Sequence, residues 1–372
     1  MSKFALISDP HVTIPNPRTG WMLPRIENEP TMYGESVELL EAAIAEINAI
    51  PDIEFILVAG DLTKDSERYN HDRARELLSR FRKPVFCIPG NHDQPRCPEL
   101  RPAECLDPHA PSVPASEFPR LYRDFGFTDP SVSAFSCDPS PDVHLVGLCS
   151  AKVNDDRGYL DPAILVWLDA DLARQRDSRR HTIVMLHHSI IDHVPAESVD
   201  PTFSWFHVDN AFDLKAVLHR HNVQLTLTGH LHMQDVTEED GLYNIVTSSL
   251  AGYPHAYRVM TLRDDAIAIE SHRIASIPSL PDLQSYSRRF VSDTFVGILT
   301  DAFRKPPFSY PQDHAHDVAT RLRDWWPSLV SGDAQFTYTA EELGDPVLVA
   351  YFNSFSDRPP ADNDLVINLR RS

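Results

Sequence analysis

The chain has 372 residues, of which 42% are hydrophobic, and a formal net charge of −20 at pH 7. That is enough for one large domain, or a domain with an appendage, to bury a core without disulfides or cofactors, and no apolar run approaches the ~18 residues of a membrane span. The acidic balance argues against a nucleic-acid polymer or an anionic membrane as the main partner, because either would be repelled over most of the surface. Cys87, Cys97, Cys105, Cys137 and Cys149 show no CxxC spacing, which fits reduced thiols better than a disulfide framework or a zinc-thiolate site. Met1 leads straight into a strand-like run with no secretory or transit signal, so a soluble protein of the cytoplasm is expected.

Phe4 to Ser8 is a near-continuous apolar strand ending in Asp9-Pro10-His11. A carboxylate and an imidazole two residues apart at a strand end can both turn toward one ion. Residues 12–35 are polar, Pro-rich and without period, and read as a loop beside that strand end. Val37, Leu40, Ile44 and Ile47 then share one face of a helix over 36–50. A second buried strand, Phe55 to Ala59, ends in Gly60-Asp61, and helical spacing returns over 66–81. Val85 to Ile88, apolar and bounded by prolines, is a third strand, and its turn presents Asn91, His92 and Asp93 together.

Residues 94–142 are Pro-rich with a short helix expected at 117–125. A strand at 143–148, a helix at 162–174 with Pro at its first turn, and a strand at 182–186 ending in His187-His188 follow. A helix at 210–221 precedes a strand at 223–228 that ends in Gly229-His230-Leu231-His232. Strands at 243–247, 257–262 and 266–270 suggest a second sheet. This β-α-β order calls for a sheet covered by helices, with chemistry at the strand carboxyl ends.

Taken singly, each candidate has a bland reading: Asp9 could cap a turn, Asp61 a helix, and His230 could be a satisfied core histidine. Five strand ends carrying such residues in one sheet point instead to a site. Carboxylate, amide oxygen and imidazole without thiolate is the ligand set of a hydrolytic centre with divalent Mn, Fe, Co or Zn. There are too many candidates for one ion, whereas two metals sharing a carboxylate would use them all.

The series Asp9-x-His11, Gly60-Asp61, Gly90-Asn91-His92-Asp93, His187 and Gly229-His230-Leu231-His232 resembles the calcineurin-like metallophosphoesterases over about residues 3 to 271. Within them it is most similar to the branch of class III cyclic nucleotide phosphodiesterases and glycerophosphodiesterases, as is Arg157-Gly158-Tyr159-Leu160 ahead of a helix containing Trp167-Leu168. The resemblance implies an α/β fold, a four-layer α/β/β/α sandwich of two mixed sheets flanked by helices. It implies that Asp9, His11 and His232 hold one metal, that Asn91, His187 and His230 hold the second, and that Asp61 bridges them. His188 is expected beside His187, supporting it or touching substrate. A hydroxide between the metals would attack phosphorus, with His92 as general acid or as donor to a phosphoryl oxygen; the alternative is a histidine that only orients Asn91. His255 is expected either as a substrate contact or as a structural residue.

Gly60-Asp61 is followed by Leu62-Thr63-Lys64-Asp65 rather than Asp-Arg-Gly, which argues against a phosphoprotein phosphatase. Residues 1–272 form the expected catalytic domain and 273–372 a C-terminal extension, helical over 283–300 and 314–329, with Asp333 and Glu341-Glu342 as a solvated face. Trp325-Trp326 and Phe336-Thr337-Tyr338 give that extension apolar surface for a lid or a homo-oligomer contact. The expected activity is hydrolysis of a small phosphodiester, a cyclic nucleotide or a glycerophosphodiester. A phosphomonoesterase such as a nucleotidase, a non-catalytic scaffold and a repair-type nuclease are the alternatives, the last opposed by the lack of a basic stripe.

Overall fold

A computed structural model describes every residue except 25, 27, 28, 96–104, 177, 371 and 372. Cys97 and part of the Pro-rich stretch after Gln94 lie outside the described residues; Cys87, Cys137 and Cys149 carry free thiols. The first half runs β1 (Ser2–Ile7), α1 (Ser36–Ala49), β2 (Phe55–Val58), α2 (Arg68–Leu78), β3 (Val85–Cys87), α3 (Phe118–Leu121), β4 (Ala134–Ser140), β5 (Val143–Leu148) and α4 (Pro162–Arg174). Then come β6 (His181–Met185), α5 (Ala211–Arg220), β7 (Leu225–Thr228), β8 (Asp235–Glu239), β9 (Leu242–Val246), β10 (Ala256–Arg263) and β11 (Ala266–Arg273). The remainder is α6 (Leu283–Phe303), α7 (Gln312–Arg321), α8 (Trp325–Leu329), α9 (Ala340–Leu343), α10 (Pro346–Asn353) and β12 (Leu365–Asn368).

Two mixed sheets result, in the orders β12-β11-β10-β1-β2-β3 and β4-β5-β6-β7-β9-β8. Their central strands are parallel, β1 with β2 with β3 and β5 with β6 with β7 with β9, so their carboxyl ends lie on one side. Alternation along the strands builds the layers. Leu145, Ile183, Met185, Leu225 and Leu227 share the core of the first sheet and of α1 and α2, while Val146, Leu148, Val184 and Leu186 pack with Leu168 and Leu172 of α4 and Leu214 and Leu218 of α5. The α/β/β/α sandwich is therefore set by which face each residue takes. Asp161 starts α4, its side chain accepting from the Ala163 N–H at 2.8 Å ahead of Pro162.

The strands expected at 243–247, 257–262 and 266–270 do not form a sheet of their own. β9 joins β7 in the second sheet, and β10 pairs antiparallel with β1 in the first, carrying β11 with it. The helix expected over 314–329 is two, α7 and α8: Pro327 has no N–H to donate and stands in the first turn of α8, so a helix continuing from α7 would break there. No helix among the described residues is long and apolar enough to cross a membrane.

The C-terminal segment returns to the first sheet through β12, paired with β11. Asp333, expected in a solvated face, is part of a clasp: its N–H donates to Asp362 Oδ2 at 2.5 Å and its Oδ1 accepts from the Asp362 N–H at 2.8 Å. Asp362 Oδ1 also accepts from the Val236 N–H, and buried Arg258 donates to the Asp362 carbonyl at 2.6 Å. Burial, and next the Asp235 charge, push the Asp362 carboxyl up to about 8 and that of Asp357 up to about 6. A carboxyl raised in the fold holds a proton that the unfolded chain has released, so stability declines as pH rises from about 4 toward 8, by at most ~1.4 kcal/mol per pH unit for each proton held. Melting temperature should therefore fall between about pH 5 and pH 8, and Asp357→Asn should shallow the fall by removing one repelling carboxylate. An unchanged slope in that variant would put the origin of the pH dependence elsewhere.

Candidate metal centre

The five strand ends expected in one sheet come from two, and the carboxyl ends of β1, β2 and β3 in the first and of β6 and β7 in the second bring Asp9 and His11, Asp61, Asn91, His187, and His230 and His232 to one buried cleft. Asp9, His11, Asp61, His230 and His232 all sit in the left-handed backbone region, with φ between 43° and 65°. Non-glycine residues rarely adopt it, and several together mark a turn geometry held by its surroundings to aim side chains inward. The holding bonds are main-chain: Asp9 N–H to Gly60 O at 3.1 Å, His11 N–H to Asp61 O at 3.0 Å and Gly229 N–H to His187 O at 3.0 Å. Two glycines make room. A Cβ on Gly60, whose φ is +98°, would lie 2.4 Å from His187 Nδ1, and one on Gly90 would lie 2.1 Å from Asp61 Oδ1.

Ligand atoms of Asp9, His11, Asp61 and His232 lie within 4.8 Å of one another, as do those of Asp61, His187 and His230. Asp61 belongs to both groups. Its Oδ1 accepts from the His92 N–H at 2.8 Å, while its Oδ2 is buried and accepts no aligned hydrogen bond among the described residues. That oxygen lies 3.3 Å from His187 Nε2 and 3.7 Å from His11 Nε2. The Nε2 atoms of His11 and His232 are 3.2 Å apart, and His232 Nε2 is 3.2 Å from Asp9 Oδ1. Asn91 Oδ1 is 3.1 Å from His187 Nε2. An orphaned buried carboxylate oxygen among converging imidazole nitrogens is costly for the protein alone and suits cations shared between these ligands.

The electrostatics agree. Burial alone would discharge His187, yet Asp61, helped by Asp9 and the Ala59 carbonyl, raises its ring to about 9. Burial likewise opposes charge on Asp9, but His232, His187 and His11 hold its carboxyl well below the usual range. The pocket's fixed charge is negative enough to retain positive charge deep inside.

Three acidic residues to which sequence reasoning gave no role build this centre. Asp93, completely buried, accepts at 2.9 Å from each of the N–H groups of Leu62, Thr63 and Gly90 and from the Thr63 hydroxyl, tying the β2 and β3 turns together. Asp156 Oδ1 accepts from Asn91 Nδ2 at 2.8 Å, which turns the amide oxygen toward His187. Asp65 Oδ1 lies 3.4 Å from His92 Nδ1, which also contacts the Lys64 carbonyl. Of the three, Asp93 stands within the Gly90-Asn91-His92-Asp93 motif and Asp65 four positions after Asp61, whereas no local signal marks Asp156.

His188 and His255 are not where a substrate contact would be. His188 is fully buried, takes a hydrogen from Ser150 Oγ at Nδ1 and donates through Nε2 to the Asp156 carbonyl, and packs at 4.4 Å against the His230 ring. Burial, and next His187, push it well below the usual imidazole range, so it is a neutral brace. His255 is also fully buried, with Nδ1 3.0 Å from the Leu250 carbonyl, and does not line the cleft. His92 does, and its ring meets that of His11 edge-on at 4.7 Å. The cleft widens into a cavity of about 840 Å³ whose walls, beyond the cluster, come from α6, α8 and α10 and from the segments 29–33, 200–206, 252–253 and 306–308.

The profile of the calcineurin-like phosphoesterases matches residues 2–234. The chain is 26% identical over 279 residues to the 3',5'-cyclic adenosine monophosphate phosphodiesterase CpdA of Haemophilus influenzae, covering 67% of this chain and 89% of that protein. It is 26% identical over 148 residues to the glycerophosphodiester phosphodiesterase GpdQ of Enterobacter lignolyticus, covering 39% of this chain and less than half, 45%, of that protein. A dimetal phosphatase from Danio rerio has a similar fold, with a TM-score of 0.52 at 16% identity over 73% of this chain and 96% of that one. The match extends over most of the chain and over every strand end that carries a cluster residue, and so the protein belongs to the calcineurin-like phosphoesterase family, hydrolases of phosphoric esters.

Proposed function

We propose that the protein is a phosphodiesterase acting on small phosphodiesters, with Asp9, His11 and His232 holding one divalent cation, Asn91, His187 and His230 holding a second, and Asp61 between them. The position of Asp61 Oδ2, buried between the two ligand groups, supports this division. Oxygen and nitrogen ligands without thiolate suit Mn, Fe, Co or Zn. When bound, such a pair supplies hydroxide at neutral pH and neutralises charge on the phosphoryl oxygens. The chain's own groups do the rest. Asp156 keeps the Asn91 amide oriented, Asp93 holds both turns in register, and the His92 ring, positioned through Nδ1, faces the cavity as proton donor to the departing alkoxide.

The observation that favours a diester over a monoester is charge. No lysine or arginine is among the described residues lining the cavity, whereas Glu29, Asp61, Asp156 and Asp200 are. A diester brings one negative charge and a monoester up to two, so a lining with no cationic side chain beyond the metals suits the diester. The names of the relatives point the same way. With Mn²⁺-loaded protein, kcat/KM on bis-p-nitrophenyl phosphate should exceed that on p-nitrophenyl phosphate by at least about tenfold, a difference of ~1.4 kcal/mol in transition-state binding. A preference for the monoester would support the phosphomonoesterase reading instead.

A further inference from the structure

We infer that the organic group carried by the phosphate is a long apolar chain, so that the substrate is an amphiphilic phosphodiester; this rests on the phosphodiesterase reading and names its substrate class. The cavity is continuous with the metal cluster. At one end stand Asp61, Asn91, His92, His230 and His232, and away from them it is walled by Phe295, Ile298, Leu299, Phe303, Trp326 and Phe352. No charged side chain from α6, α8 or α10 reaches it. A phosphate seated on the cluster therefore has an apolar wall from α6, α8 and α10 on one side for its substituent, while Glu29, Thr31, Asp200 and Thr202 line the cavity elsewhere.

That condition selects the occupant. A nucleobase or a glycerol would leave its donors and acceptors unpaired against those walls, at a cost that discriminates strongly, whereas an alkyl or acyl chain loses nothing there and gains with each methylene removed from water. About 840 Å³ is at the upper end for a ligand pocket and larger than a compact polar head needs. The rim carries the same signature. Trp205, Tyr351 and Val347 line the cavity while remaining 38%, 40% and 68% exposed, an apolar lip over which a chain can enter. Phe295, Phe303 and Phe352 belong to one apolar cluster with Trp325, Leu348, Phe206 and Leu231, so this wall is packed directly onto the segments that carry the metal site.

The test is a series of p-nitrophenyl n-alkyl phosphodiesters, methyl to decyl, kept below their micelle concentrations, with the full-length Mn²⁺-loaded protein. The expected result is a kcat/KM that climbs by up to about fourfold per methylene, the transfer free energy of one CH₂, and levels off once the cavity is filled. Leu299→Glu, which puts a charge into the wall, should bring the decyl-to-methyl ratio toward one. As a readout independent of turnover and of that variant's folding, calorimetry on the wild-type protein without added metal should show decylphosphonate binding more tightly than methylphosphonate, with a negative heat-capacity change. A flat series, equal binding of the two phosphonates, or a 3',5'-cyclic nucleotide hydrolysed more efficiently than every alkyl diester would overturn the inference. Loss of activity on all diesters, the methyl ester included, would instead overturn the phosphodiesterase reading, and the phosphonate comparison would still decide the question of the chain.

Discussion

Asp61→Ala is expected to purify with neither cation retained and with turnover reduced by more than about 10³-fold, beyond the 10²–10³ that loss of a single transition-state donor costs. The reason is positional. Asp61 Oδ2 lies within 3.7 Å of both His11 Nε2 and His187 Nε2, so one substitution withdraws an anionic ligand from both groups at once. Asn91, His187 and His230 are then left without a negative charge, and Asp9 is the one carboxylate remaining with His11 and His232. Folding should survive. In protein without metal, the Asp61 carboxylate accepts from the His92 N–H and faces the His187 ring whose proton it favours, so deleting it should lower the melting temperature of the metal-free protein while leaving its fold intact. Asp61→Asn separates charge from shape, since it can still accept from the His92 N–H but brings no anion to the pair; it should resemble the alanine variant in metal content. Elemental analysis beside a melt decides the matter, and two retained metals with ordinary turnover in Asp61→Ala would remove Asp61 from the centre.

The cluster positions were legible because each lies at the end of a short apolar strand, and a strand's direction fixes where its end points. Asp9, Asp61, Asn91, His187 and His230 needed only that rule and the parallel order of the strands to be brought together. What stayed hidden depends on partners far away in the chain. Asp156 and Asn91 are 65 positions apart, and Asp93 and Leu62 are 31 apart, so neither pairing leaves a local pattern and both acids read as ordinary turn or surface residues. The role of His188 stayed open for a related reason: in a run of two histidines, alternation along the chain turns only one toward the cleft, and which neighbour covers the other is a tertiary matter.

Sheet membership was obscured in the same way. β10 and β11 have the composition of any hairpin, and only the antiparallel register of β10 on β1 assigns them to the first sheet. β8, Asp-Val-Thr-Glu-Glu, and β4, which contains a proline, are edge strands whose sequences carry little β signal. In the C-terminal segment the helix over 283–300 was visible, but that its apolar residues both join a packed cluster and line the cavity beside the metal site was not. Apolar periodicity reports that a face is covered, and it is silent on whether protein or ligand covers it.

His92→Ala should show the opposite pattern from Asp61→Ala, keeping both cations while losing rate. The contact that ties His92 to Asp61 is made by the main-chain N–H, which alanine retains, so the centre's geometry survives removal of the ring. What disappears is a side chain that lines the cavity and whose Nδ1 is placed between the Lys64 carbonyl and Asp65, contacts that fix the orientation of the ring. Deleting a general acid costs typically 10²–10⁴-fold, but only where the leaving group needs the proton. The loss should therefore be of that size for dialkyl phosphodiesters, whose alkoxide departs with a full charge, and within about tenfold for p-nitrophenyl esters, whose phenolate is stable unprotonated. Equal losses on both classes would make His92 a donor to a phosphoryl oxygen rather than to the leaving group, because charge on phosphorus develops whichever group departs. Loss of metal from His92→Ala would make the ring a support for Asn91 and end its role in proton transfer, and His92→Gln, which keeps a hydrogen-bond donor without a titratable proton, would then recover the metal but not the dependence on leaving group.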